Sequence, residues 1–175
     1  MEQHPLVSFY LNQNRTPEGY MLTEIWGWSH ENMEYVHTYI QWLFPLREKS
    51  GFNLRAPTLN DEVIKEFKSD IKLHENLIRS FRLMLDFYGF EMHEDGDGEI
   101  RIQQAQDFEE KSSYWLNPYN HNFLRITRIL RSMTILGCKN YAETFLACLN
   151  DLYDKYHHDI SENTLNYWNN AVRSD

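Results

Sequence analysis

Apolar residues recurring every three or four positions, framed by residues that start and stop helices, constrain this chain more than any other feature of its sequence. From about Asp70 to Tyr88, Ile71, His74, Ile78, Phe81, Leu85 and Tyr88 fall on one strip, and Gly89 stands where helices commonly end in a left-handed residue. From about His121 to Leu136, Phe123, Ile126, Ile129, Leu130 and Met133 form a second strip, widened by Leu124 and Ile135 and followed by Gly137. Ser29 is placed to cap a helix carrying Met33, Val36, Ile40 and Leu43, with Pro45 as its stop. Shorter helices are expected from Pro5 to Leu11 and from a Thr58/Asp61 capping box to about Lys68. Two more follow, one along Tyr141, Phe145, Cys148, Leu152 and Tyr156, the other from a Ser161 cap to Val172. Asp95-Gly96-Asp97-Gly98 reads as a turn, with room for one small hairpin near 93–103. The expected fold class is all-α, an irregular multi-helix bundle of about six to eight helices in one domain over 1–175.

A chain of this length removes roughly 70% of its unfolded surface from water, enough for a core without staples. Aromatic rings make up 15% of the residues, so they should dominate that core. Trp42, Leu43, Phe44 and Pro45 are the densest apolar cluster. Leaving ~200 Å² of Trp42 in water would forgo several kcal/mol at ~25 cal/mol per Å², so burial is expected. Seventeen basic against twenty-six acidic side chains give a net charge of −9, which disfavours nucleic acid as a partner. Cys138 and Cys148 are ten positions apart on one expected helix, about 15 Å along its axis, too far to pair with each other. With no apolar run of 18 residues and no basic-then-apolar start, neither membrane nor secretion is signalled, and the cytoplasm is the expected location.

Few residue patterns could carry chemistry. On the Ser29 helix, His30, Glu34, His37 and Gln41 share one polar strip, and His30, Glu34 and His37 are of the kinds that bind metal. Glu34-x-x-His37 needs a second copy on another helix, for which Asp154-x-x-His157 is the nearest candidate, and a solvated face is the plainer reading. His93, Asp95, Asp97, Gly98 and Glu99 fit the start of a calcium loop, but Gln104 stands where the bidentate glutamate belongs, which favours a simple acidic turn. On the central helix, His121, Arg125, Arg128 and Ser132 share a face. That face either pairs internally with carboxylates or docks a carboxylate, phosphate or acidic peptide. His74, alone on an apolar stripe, is expected to be a core histidine. Gly-rich phosphate loops, nucleophile elbows, CxxC pairs and HExxH zinc helices do not occur, and no cofactor is expected.

Three stretches then agree in order and spacing with one known family. His37-Thr-Tyr-Ile-Gln-Trp-Leu-Phe-Pro-Leu-Arg-Glu48, Leu83-Met-Leu-Asp-Phe-Tyr-Gly89 and Leu124-Arg-Ile-Thr-Arg-Ile-Leu130 resemble the conserved amino-terminal domain of the opioid growth factor receptor family. The likeness covers about Ile25 to Val172 and implies an all-helical domain, in a family named for receptors of a short opioid peptide. It brings no catalytic or ligand-contacting residue with it. The leading expectation is a non-enzymatic binding module for a protein or peptide partner or an acidic ligand. Its expected pocket lies between the Ser29 helix and the central helix, with His37, Ile40, Gln41, Trp42, His121, Arg125 and Arg128 as the candidate residues. The alternative is a metal-binding protein or metal-dependent enzyme using His30, Glu34 and His37.

Overall fold

The computed structural model describes residues 2–173. Among them are ten helices and one two-stranded antiparallel sheet, so the chain is mostly helical but carries more and shorter helices than the six to eight expected. Its contacts group into two compact units that meet in sequence at Leu83/Met84. Among the described residues no helix is long and apolar enough to cross a membrane.

The first unit holds α1 (Pro5–Tyr10), α2 (Leu22–Trp26), α3 (His30–Tyr35), α4 (Ile40–Leu43), α5 (Asp61–Ser69) and most of α6 (Ile71–Tyr88). Pro5 begins α1, where its missing N–H costs nothing. His4 caps it, with Nδ1 accepting from the Leu6 N–H at 3.3 Å. The Ser29 helix is broken. Ser29 does cap α3, but α3 ends at Tyr35 and Val36 is extended. The carbonyls freed at the break find other donors: the Tyr39 hydroxyl reaches Met33 O at 2.7 Å, and the Asn53 amide reaches Thr38 O at 3.0 Å. The cap of α5 is Asn60 rather than Thr58, its Oδ1 accepting from Val63 N at 2.9 Å, a contact of about 1 kcal/mol.

On α6 the buried face is rotated from the expected strip. Leu73, Asn76, Leu77 and Ser80 are buried alongside Phe81, whereas Ile71 is 76% exposed and His74 is half-buried at the margin rather than a core histidine. Two apolar strips compete on this helix, and polar contacts select between them. Asn76 donates to Tyr10 O at 2.7 Å, and the Trp26 indole donates to Ser80 Oγ at 3.0 Å.

The second unit holds the end of α6, β1 (Phe90–Glu94), β2 (Ile100–Gln104), α7 (Phe108–Ser112), α8 (Asn122–Ile135), α9 (Lys139–Tyr156) and α10 (Glu162–Ala171). The hairpin starts three residues earlier than the sequence suggested, with Met92 opposite Ile102. Gly89 ends α6 at φ 92° and leads straight into β1. Inside, Trp115 is 1% exposed. Its ring meets Tyr88 edge-on at 5.2 Å, and its Nε1 donates to Tyr88 O at 3.0 Å. Trp168 likewise donates to Phe123 O at 3.1 Å, tying α10 to α8. The inner face of α8 is the expected one, with Phe123, Ile126, Ile129, Leu130 and Met133 buried. Leu124 departs from it and is 59% exposed.

The His4 cap makes α1 sensitive to acid. Burial holds the imidazole below its ordinary value of 6.5, with the charge of Glu66 opposing the shift. A depressed folded-state value means that the unfolded chain takes up the proton first, so stability is present above about 6.5 and is lost as pH falls through it. Protonation also removes the lone pair that accepts from Leu6 N. Thermal unfolding of the wild type should therefore lose more stability between pH 7.5 and 5 than that of His4→Asn, which keeps a capping oxygen and does not titrate. Parallel pH curves for the two proteins would contradict this.

Candidate functional site

Within the first unit, segments far apart in sequence converge on a cleft of about 640 Å³. Its walls include Pro5, Arg15, Pro17, Trp42, Arg55 and Pro57. Each is placed by local contacts. The turn after α1 begins at Asn12, in the left-handed region at φ 57°. The Asn12 Oδ1 accepts from the backbone and hydroxyl of Thr23 at 3.2 and 3.1 Å, pinning the turn that carries Arg15 and Pro17. Arg55 follows buried Asn53, whose Oδ1 accepts from Arg55 N at 3.2 Å while its amide holds Thr38 O. Ser50 Oγ takes the N–H groups of Phe52 and Asn53 at 3.1 and 3.3 Å. This clamp leaves Phe52 and Leu54 81% and 73% exposed on either side of Asn53.

Trp42 sits edge-on to Phe9 at 5.3 Å and is 4% exposed. Among the described residues its indole N–H is buried without an acceptor, and Gln41 Oε1 and Glu18 Oε2 are buried without a donor. A buried donor left unpaired costs about 1–3 kcal/mol. The two cations of the cleft differ in commitment. Arg15 Nη1 is already shared between the Glu24 carboxylate, at 2.8 and 2.9 Å, and Gly19 O at 2.8 Å. The Met21 N–H and Arg15 hold the Glu24 carboxyl below its ordinary value. Arg55 is exposed, and no ion pair holds it among the described residues. A second cleft of about 640 Å³ shares Glu2, Gln3 and Pro5 with the first and is acidic, with Glu62 and Glu66 in its wall beside His4.

The residues singled out from sequence fall as follows. Of the first-unit candidates, His37 is exposed in the connection after α3, while Ile40, Gln41 and Trp42 are buried at 4%, 5% and 4% exposure, and Trp42 lines the cleft. His121, Arg125 and Arg128 belong to the second unit. His121 is exposed and Arg128 half-buried. Arg125 is 6% exposed, its Nη1 lying 3.5 Å from Asn122 Oδ1, which also accepts from the Tyr88 hydroxyl at 3.1 Å. Arg15, Arg55 and the three prolines were not singled out, because they form no motif and only the folded chain gathers them.

The proposed metal strip requires a continuous helix and does not have one. His30 and Glu34 are on α3, and His37 lies past its end. Among the described residues no group of three or more His, Cys, Asp or Glu is placed to hold a metal ion. Asp95, the would-be calcium ligand, spends Oδ1 on the N–H groups of Asp97 and Glu99 at 3.1 and 3.0 Å, as in a plain acidic turn. Burial pushes the Cys138 thiol up to about 12 and the Cys148 thiol up to about 11, so neither is an activated nucleophile.

The chain matches the family model described as the opioid growth factor receptor (OGFr) conserved region over residues 2–175. It is 41% identical to the opioid growth factor receptor of Rattus norvegicus over 139 residues, 77% of this chain and 23% of that protein. It is also 41% identical over 137 residues to opioid growth factor receptor-like protein 1 of Xenopus tropicalis, covering 76% of this chain and 26% of the relative. With the human opioid growth factor receptor the identity is 40% over 141 residues, 78% of this chain and 20% of that protein. The chain thus spans about a quarter of the length of the curated relatives it matches. No solved structure matches it at a significant level. With the family's conserved region matched over residues 2–175, the chain belongs to the opioid growth factor receptor family.

Proposed function

We propose that this chain is a non-enzymatic binding module that recognises a peptide segment, and that the cleft beside Trp42 is where it does so. The observation that carries the reading is the cleft itself. About 640 Å³ of concave surface combines three proline rings and an indole with a small set of fixed donors, the composition expected of a recognition site. Two of the relatives are named as receptors of a growth factor, which supports a ligand of peptide character. Because the chain spans only part of those relatives, their own ligand is not transferred to it.

Hydrogen exchange is the direct test. The protein is mixed with a randomised pool of nine-residue peptides, acetylated and amidated at the ends, and the amides of the first unit are followed. Slower exchange in segments 12–20 and 50–57, with little change elsewhere, is the expected result. A pool that protects nothing, or that protects only the second unit, would sink the reading.

A further inference from the structure

Resting on that reading, we propose that the cleft selects its peptide by a side-chain carboxylate, Asp or Glu within an extended segment, and that Arg55 is the residue that takes it. Arg55 is an exposed cation on the cleft of a chain with net charge −9, and among the described residues it has no carboxylate partner. Arg15, on the same cleft, already pairs through Nη1 with Glu24 and Gly19. Arg55 has a full guanidinium fork to offer, and a planar fork matches a carboxylate in two parallel hydrogen bonds.

Its presentation is built rather than incidental. The Asn53 side chain is buried and bonds to both Thr38 O and Arg55 N, so the loop carrying Arg55 is anchored on the connection between α3 and α4. That anchoring lowers the entropy lost when a ligand is taken up. Leu54, next to Arg55, and Phe52 stand exposed and provide apolar footing for residues flanking the acidic one. Trp42 and the rings of Pro5, Pro17 and Pro57 give the same cleft an apolar wall. Glu2 also lines the cleft and is shared with the second one, where Glu62 and Glu66 add to it. These three carboxylates repel an anion, which leaves Arg55 as the place where a ligand's negative charge is accepted.

The test uses two randomised nine-residue pools, acetylated and amidated so that no terminal carboxylate is present, identical except for Glu or Gln at the central position. Peptides retained by the whole chain are separated by gel filtration and counted by mass spectrometry at low salt. The Glu pool should be retained about tenfold more than the Gln pool, the difference expected between a charge-assisted and a neutral hydrogen bond. Arg55→Gln, at an exposed position, should remove that preference without changing the thermal melt. Equal retention of the two pools, or a preference that survives Arg55→Gln, overturns the carboxylate assignment while leaving a peptide-binding module standing. Failure to retain either pool overturns the assignment together with the reading beneath it.

Discussion

Replacing Trp42 with alanine should lower the unfolding free energy by about 3–5 kcal/mol, the range for deleting a large aromatic side chain from a packed interior. The ring is 4% exposed and lies against Phe9, which meets Tyr10 edge-on at 5.8 Å. The Tyr10 hydroxyl in turn donates to Leu43 O, the residue next to Trp42. The cavity therefore opens inside a closed circuit of α1 and α4, where α4 has only four residues and cannot re-form around it on its own. The unpaired indole N–H works the other way, since Trp42→Phe discards an unsatisfied donor while keeping a ring, and should cost far less than Trp42→Ala. Urea unfolding followed by circular dichroism measures both. A loss below ~1 kcal/mol for Trp42→Ala would place the residue outside the core.

Gly89→Ala should cost about 2–5 kcal/mol, made up of the left-handed backbone and a forced overlap. At φ 92° an L side chain is strained, and a Cβ there would lie 3.0 Å from both the Cα and Cδ2 of Phe108, and 3.3 Å from Lys111 Cβ. Phe108 cannot simply retreat. Ala105 N donates to Gly89 O at 2.8 Å and Phe108 N to Ala105 O at 3.0 Å, so the start of α7 is tied to the very residue that would push it. Gly98→Ala is the control, because its φ is 78° but nothing lies within 4 Å of the added carbon, and it should show only the backbone penalty of about 1–2 kcal/mol. Equal losses for the two variants in chemical denaturation would mean that the contact with Phe108 relaxes freely.

Periodicity and caps carried the long helices well. The inner face of α8, the Ser161 cap with its 3.1 Å bond from Thr164 N, and the glycines that close α6 and α8 were all legible. What periodicity could not show was interruption. Met33, Val36, Ile40 and Leu43 keep helical spacing across a segment that leaves the helix at Val36, because the Tyr39 hydroxyl and the Asn53 amide satisfy carbonyls that a helix would otherwise satisfy. The second of these donors is fifteen residues away in sequence. The metal strip failed with the helix it assumed. α2 and α7, five residues each, were missed because one turn offers too few positions for a period to register. Of the cleft, Trp42 was visible as a large apolar residue, whereas Arg55 looked like any other surface charge. Its significance comes from Arg15 being occupied and Arg55 not, a fact of pairing that no local pattern encodes.

The four helices of the first 45 residues contain six, five, six and four residues, each below the length at which a helix persists in water. Their order is borrowed from one another through bonds such as Tyr10 to Leu43 and Tyr39 to Met33. Losing any one of them removes partners from the rest, so protection of their amides should rise and fall as a single block. The wall of the cleft is consequently an all-or-none object: present whole when this block is folded, and absent whole when it opens.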